Sequence, residues 1–261
     1  MNLKKIKPFL VVKSTWRLLR FKKPPVIIGG CGRTGTSLMS SILGAHREIV
    51  ALDFESNAFV RIGLRPTKTR SILQLMRLYL LLIRQGVKAG NIRFCEKTPR
   101  NVLHVPAIRQ VFKGGAKFIL MIRDGRDILT SVHPQKVDYY IPIERWMNDT
   151  IETLKYAHDD DVLIVPYESI ISHFDLTVTK ICEFIGSEFD PRMREFFKYS
   201  SVQAHGAFHK GRPEKIYKSS LDRWKDNAHS ERVRQVNSNT KATELLDDVE
   251  QFINRFISDL T

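Results

Sequence analysis

Residues 24–39 read PPVIIGGCGRTGTSLM. A β-branched run closes on a glycine pair, a short polar loop follows, and apolar residues resume at Leu38, which predicts strand, loop and helix in turn. The loop is spaced like the phosphate-binding pattern G-x-x-x-x-G-K-[ST]. Gly30 and Gly35 stand five apart and Ser37 closes the pattern, but Thr36 occupies the lysine position and the cation is displaced upstream to Arg33. Glycines allow backbone N–H groups to turn inward on an anion, and the following helix adds its positive N-terminus. The stretch therefore keeps an anion cradle and moves the cation.

Working outward, EIVAL (48–52), IRFCEK (92–97), KFILMIRD (117–124) and DVLIVPYE (161–168) read as further strands. KFILMIRD is apolar over most of its length, as a parallel strand covered on both faces should be. Helices are predicted over 34–43, over 71–86 with Arg77 and Arg84 on the polar side, and over 101–112, where Pro106 kinks or restarts the helix. The tail 243–260 sets Leu245, Val249, Phe252, Phe256 and Leu260 on one helical face. Alternating strands and helices predict an α/β fold, three-layer α/β/α with a mainly parallel central sheet. Ligands of such sheets bind at the carboxyl ends of the strands.

The chain has 261 residues, 43% of them apolar, enough for one domain over 25–261 behind a basic arm, 1–24. Three cysteines, at 31, 95 and 182, form no C-x-x-C pair, which points to a reducing compartment; Cys31 reads as a small filler. The net charge of +14 is uneven: residues 1–95 carry eighteen Lys/Arg against three acids, and Ser56–Cys95 carries eight and no acid. That asymmetry argues for an arm and a local anion-receiving site, and no nucleic acid is expected. No run reaches the roughly 18 apolar residues of a membrane span, and Pro8–Val12 is short for a signal peptide. A cytoplasmic protein is expected, with the arm either touching a membrane surface peripherally or folded against the domain.

Two more polar clusters follow strands. In IRDGRDILTS (122–131), Arg123 ends the strongest strand and Ser131 follows eight residues later, two turns into the expected helix. In CEKTPRN (95–101), Lys97 follows the third strand.

Residues 28–39 resemble the 5′-phosphosulfate loop of sulfotransferases, and 122–131 resembles their 3′-phosphate motif, with arginine and serine at the family's spacing. Both are most similar to the tyrosylprotein and general bacterial branches. The resemblance implies a P-loop nucleoside-triphosphate-hydrolase-like fold and 3′-phosphoadenosine-5′-phosphosulfate (PAPS) as co-substrate, without a metal. It implies an acceptor hydroxyl on a protein tyrosine, a glycan or a small molecule, with an anionic acceptor suited to the basic 56–95 run. By the same resemblance Gly32, Arg33, Thr34, Gly35, Thr36 and Ser37 hold the donor's 5′ end, Arg123 and Ser131 its 3′-phosphate, and Tyr167 lies near the adenine. KGRPEKIYKSSLDRW (210–224) stands where relatives close the nucleotide site; it offers Lys210, Arg212, Lys215, Lys218 and Ser219, of which Lys215 and Lys218 are carried forward.

The implied catalytic set is Lys97, Arg33 and Glu55. Sulfuryl transfer spreads charge over equatorial oxygens, and Lys97 would neutralise it. The histidine base of cytosolic members does not carry over, because Pro99 takes its place. A glutamate after the second strand serves other branches, and ALDFES offers Glu55, with Asp53 left open by a one-residue shift and His133 as a third candidate. Two other classes compete: a P-loop kinase or nucleotide hydrolase, and a non-enzymatic anion-binding module. Oligomeric state is not legible.

Overall fold

The computed structural model describes residues 21–88, 90–113, 115–132, 138–200, 202 and 220–261. Five strands, β1 (Val26–Gly30), β2 (Ile49–Ala51), β3 (Arg93–Lys97), β4 (Lys117–Ile122) and β5 (Val162–Pro166), form one sheet in the order β2-β3-β1-β4-β5. Every pairing is parallel, with Ile28 opposite Lys97 on one side and Ile119 on the other. The central β1 thus ends where the strand order reverses, the place at which open α/β sheets bind ligands.

Each crossover carries helix. The described helices are α1 (Thr36–Gly44), α2 (Ala58–Leu64), α3 (Lys68–Gln85), α4 (Val105–Phe112), α5 (Gly125–Leu129), α6 (Ile143–Leu154), α7 (Tyr167–Ser172), α8 (Phe174–Ile185), α9 (Phe196–Tyr199), α10 (Ser230–Asn237) and α11 (Thr240–Ser258). Side chains alternate across a strand. Ile27, Phe118 and Leu120 therefore enter one core with Phe59, Leu78, Trp146 and Leu245, while Val26, Ile28, Ile119 and Met121 enter the other with Met39, Ile42, Ile170 and Ile181. Three layers result, as expected from the alternation of elements. In the tail helix, Leu245, Val249 and Phe256 are buried as the periodicity predicts.

Of the two readings of 101–112, the restart at Pro106 holds: a 3-10 turn over Pro99–His104 precedes α4, which begins at Val105 with Pro106 in its first turn, where a missing N–H costs nothing. One expectation is corrected: Ser131 does not ride on a helix. The helix after β4 stops at Leu129, Thr130 folds its hydroxyl onto the Arg126 carbonyl at 2.8 Å, and Val132 pairs with Tyr139 in an antiparallel bridge.

Two buried carboxyl groups stabilise the turns after these strands. Glu96 is fully buried; it accepts hydrogen bonds from Ser56 Oγ, Thr98 Oγ1 and Asn101 Nδ2, each at 2.7 Å. Asn101 also donates to the Ile28 carbonyl at 3.0 Å, so the group joins the turn after β2 to the ends of β3 and β1. Glu168, at the start of α7, accepts the Asp124 N–H at 2.9 Å and ties the turn after β5 to the turn after β4. Burial pushes its carboxyl up from 4.5 to about 7; the Asp124 N–H bond opposes this.

Glu96→Ala should leave three buried donors unpaired at once, at a cost of about 3 kcal/mol or more in urea denaturation; a loss indistinguishable from that of surface substitutions would contradict the network. A carboxyl whose folded pKa is raised stabilises fully below its unfolded value and loses that contribution as pH rises through the folded one. Stability should therefore decline between about pH 4.5 and about 7, and Glu168→Gln should flatten that decline in melting curves taken across the range.

Candidate functional site

The loop between β1 and α1 is held open by its backbone. Gly30, Arg33 and Gly35 have φ of 134°, 72° and 92°. A Cβ at Gly30 would sit 2.4 Å from the Met121 carbonyl oxygen, and one at Gly35 2.4 Å from the Tyr167 ring, so these glycines let the loop lie against β4 and against Tyr167. Thr34 Oγ1 braces the turn by donating to the Cys31 carbonyl at 2.7 Å. The first turn of α1 contains no acid, and its cap residue, Gly35, has no side chain with which to satisfy the helix's leading N–H groups. Those groups and the helix dipole face the loop mouth, a setting that favours an anion. Cys31 is buried, and burial together with Asp149 pushes its thiol up, as suits a filler and not a nucleophile.

Beside the loop, two arginines predicted from the sequence meet a third that was not. Arg33 Nε donates to Ser131 Oγ at 2.8 Å, and Arg123 Nη1 donates to the Arg33 carbonyl at 3.2 Å. Arg123 also pairs with Asp127 at 3.2 Å, donates to the Ser220 carbonyl and lies 4.3 Å from the centre of the Tyr167 ring. The Tyr167 hydroxyl bonds Ser220 Oγ at 2.7 Å. Asp127 then accepts the backbone N–H groups of Asp222 and Trp224, at 3.1 and 3.4 Å, and so draws the C-terminal turn onto the end of β4. Arg223 arrives with that turn.

The electrostatic result is a concentration of positive charge. Burial lowers Arg33 to about 10, with repulsion from Arg223 and Arg123 as further causes; burial and Arg123 lower Arg223 in the same direction. Arg123 Nε is buried and has no hydrogen-bond partner among the described residues. Planar, forked donors arranged around one point suit a phosphate-like dianion. The sequence reading assigned this closure to the 210–219 cations and passed over Arg223 and Ser220. The signal available was Arg223's place directly before Trp224, the residue already taken as the end of the closing loop.

On the other side of β1, Lys97 Nζ lies 3.0 Å from Glu55 Oε1. Lys97 is buried at the end of β3, whereas the Glu55 side chain is 44% exposed and open to an incoming group. Of the two acids in ALDFES, Glu55 is therefore the one whose carboxylate is seen to meet Lys97. Arg33 does not turn its guanidinium toward this pair; it turns toward Ser131. His133, Lys210, Arg212, Lys215, Lys218 and Ser219 lie outside the described residues.

Comparison with known proteins agrees with this geometry. Residues 71–191 match the profile of the Sulfotransferase family. Protein-tyrosine sulfotransferase A of Caenorhabditis elegans is 26% identical over 198 residues, covering 65% of this chain and 52% of that protein. The chain spans about half the length of the curated relatives it matches. Among solved structures, the sulfotransferase domain of the Synechococcus PCC 7002 olefin synthase superposes with a TM-score of 0.61 at 17% identity, over 87% of this chain and 95% of that one. Mouse sulfotransferase SULT7A1, solved with PAP, gives 0.58 at 12% identity, over 96% and 95%. A sequence match across the middle of the chain and a shared fold around it thus make the protein similar to the sulfotransferases.

Proposed function

We propose that the chain moves a sulfuryl group from PAPS to an acceptor hydroxyl. The observation that carries this reading is the pairing, at one edge of the sheet, of an arginine cluster suited to a dianion with a separate Lys97–Glu55 ion pair. When bound, PAPS supplies the activated sulfuryl group. The loop N–H groups from Gly32 to Ser37, the hydroxyls of Thr34, Thr36 and Ser37, and the main chain of Arg33 would hold the donor's 5′ end. Arg123 and Ser131 would hold its 3′-phosphate, joined by the guanidinium of Arg33 and by Arg223. Arg33 thereby serves both ends, which keeps it in the catalytic set. Tyr167, which lies against Gly35 and Arg123, would flank the adenine. Lys215 and Lys218 stay in the proposal on the resemblance alone.

Lys97 would offset charge on the oxygens of the group in transit, where preorganised cations contribute most. Glu55 would take the proton of the acceptor hydroxyl, held in place by Lys97 until that hydroxyl arrives; the ion pair is what favours Glu55 over Asp53. The tyrosine-sulfotransferase relatives support a protein hydroxyl as acceptor, and the acidless 56–95 run supports an anionic one. A single domain over 25–261 is supported by two cores sharing one sheet, and a cytoplasmic setting by three unpaired, buried cysteines. The arm, 1–24, lies outside the described residues as far as residue 20. Thr36 at the lysine position weighs against a nucleotide hydrolase, and the Lys97–Glu55 pair against a module that only binds.

PAP at about 100 times its Kd should stabilise the protein by about 2.7 kcal/mol, seen as a rise in Tm of several degrees. Arg123→Ala and Arg223→Ala should each abolish most of that rise, and a full rise in both would remove the cluster from donor binding. Lys97→Ala and Glu55→Gln should keep the rise while lowering kcat by about 10²–10⁴, measured by transfer of label from PAPS to a panel of hydroxyl acceptors. An unaltered kcat in either variant would exclude that side chain from the chemistry.

A further inference from the structure

One surface of the fold is left over once the core and the donor site are accounted for. α3 buries Leu78 and Leu82, with Leu75, Tyr79 and Leu81 packed partly against the same core. That is the ordinary apolar face of a surface helix. α3 has a second one. Ile72, Leu73, Leu80 and Ile83 are exposed, and Leu64 at the end of α2 is 67% exposed beside them. Nine large apolar side chains are exposed among the described residues, and these are five of the nine. At about 100° per residue, Ile72, Ile83, Leu80 and Leu73 fall in one sector, and Arg84, Arg77 and Arg70 fall in the next. Arg70 Nε is used to fasten α3 to the Arg61 carbonyl at 2.6 Å, while Arg77 and Arg84 are exposed.

We propose that this face of α3, with Leu64, is a docking surface for an anionic lipid bilayer. An aliphatic sector flanked by arginines is the pattern of a helix that lies in the membrane interface, its long cationic side chains reaching to headgroups while the aliphatic ones enter the acyl boundary. No described helix is long and apolar enough to cross a membrane, so the contact lies along the surface. Charge selects the occupant. No acid occurs from Ser56 to Cys95, so a two-fold pairing of this face with a second copy would set arginine against arginine. An acidic soluble partner would satisfy the arginines but would leave five aliphatic side chains without a need. A bilayer with anionic headgroups satisfies both sectors. α2 begins three residues after Glu55, so docking would hold the Lys97–Glu55 side of the fold close to the lipid. The inference stands on the exposed surface and does not depend on the proposed reaction.

The test uses the full chain, sedimented with vesicles of phosphatidylcholine alone or with about 30 mol % phosphatidylglycerol. Binding should require the anionic lipid and weaken with salt. Leu73→Ser/Leu80→Ser and Arg77→Gln/Arg84→Gln should each lower the partition coefficient by more than about tenfold, because one cation near such a surface is worth roughly fivefold. Lys4→Gln/Lys5→Gln/Lys7→Gln should bind nearly as the parent does. Hydrogen exchange on the unmodified chain should slow across 64–84 when vesicles are added, which keeps the test open should a variant misfold. The proposal is overturned if the α3 variants bind like the parent, if only the arm variant loses binding, or if exchange over 64–84 is unmoved. It is equally overturned if the leucine variant dissolves a solution dimer, or if the face takes up soluble polyglutamate while ignoring vesicles.

Discussion

Three guanidinium groups sharing one corner of a sheet set the terms for everything around them. Asp127 is the carboxylate that pairs with Arg123 and lies near Arg223, and the pull of Arg33 down to about 10 corresponds to roughly 3 kcal/mol against its charged form. Loss of water contributes most, and mutual repulsion adds to it. A fold accepts such a cost where an anion will arrive to reverse it. Asp127 makes the arrangement tolerable before that happens. It neutralises part of the charge and also fastens the 222–224 turn by two backbone N–H groups, so the residue that relieves the repulsion is the one that imports the third arginine.

The opposite flank of β1 is organised by strand alternation. Glu96 and Lys97 are consecutive in β3, and consecutive strand residues point to opposite faces. One enters the buried network that joins the turns after β1, β2 and β3; the other emerges at the strand end to meet Glu55. The turn that carries Glu55 is thereby fixed from beneath by Ser56, which donates to Glu96, and from the side by Lys97. The position of Glu55 thus depends on a carboxyl that itself never reaches solvent. The arginine cluster and the Lys97–Glu55 pair lie on opposite flanks of β1.

Most of the sheet could be read from the chain because its strands are short, buried on both faces and bounded by glycine, proline or charge. The loop was legible because its glycines are backbone requirements: positive φ at Gly30 and Gly35 can be inferred from spacing alone. Ser131 was misplaced on a helix because the hydroxyl of Thr130, which ends that helix by bonding back to Arg126, has no periodic signature. Arg223 was missed for a different reason. Its arrival depends on Asp127 capturing a turn about a hundred residues downstream, and no local pattern encodes a capture of that kind. Glu96 was read only as part of a strand, although an acid inside an apolar strand announces a buried network. Glu55 and Lys97 were paired through a family resemblance, since nothing in a separation of 42 residues brings them together.

Salt distinguishes the two uses to which the basic N-terminal third is put. Exposed cations such as Arg77 and Arg84 act through solvent, where the Debye length is about 8 Å at physiological ionic strength. They contribute a field that draws anions toward this side of the molecule, and that contribution fades as salt rises. Arg33 and Arg123 act across a few ångströms of desolvated protein and are screened far less. This division explains how the chain carries eighteen cations against three acids in residues 1–95 without losing its fold. Most of the described ones are exposed; Arg33 is half-buried at the loop after β1, and Arg93 is buried at the start of β3, away from that loop.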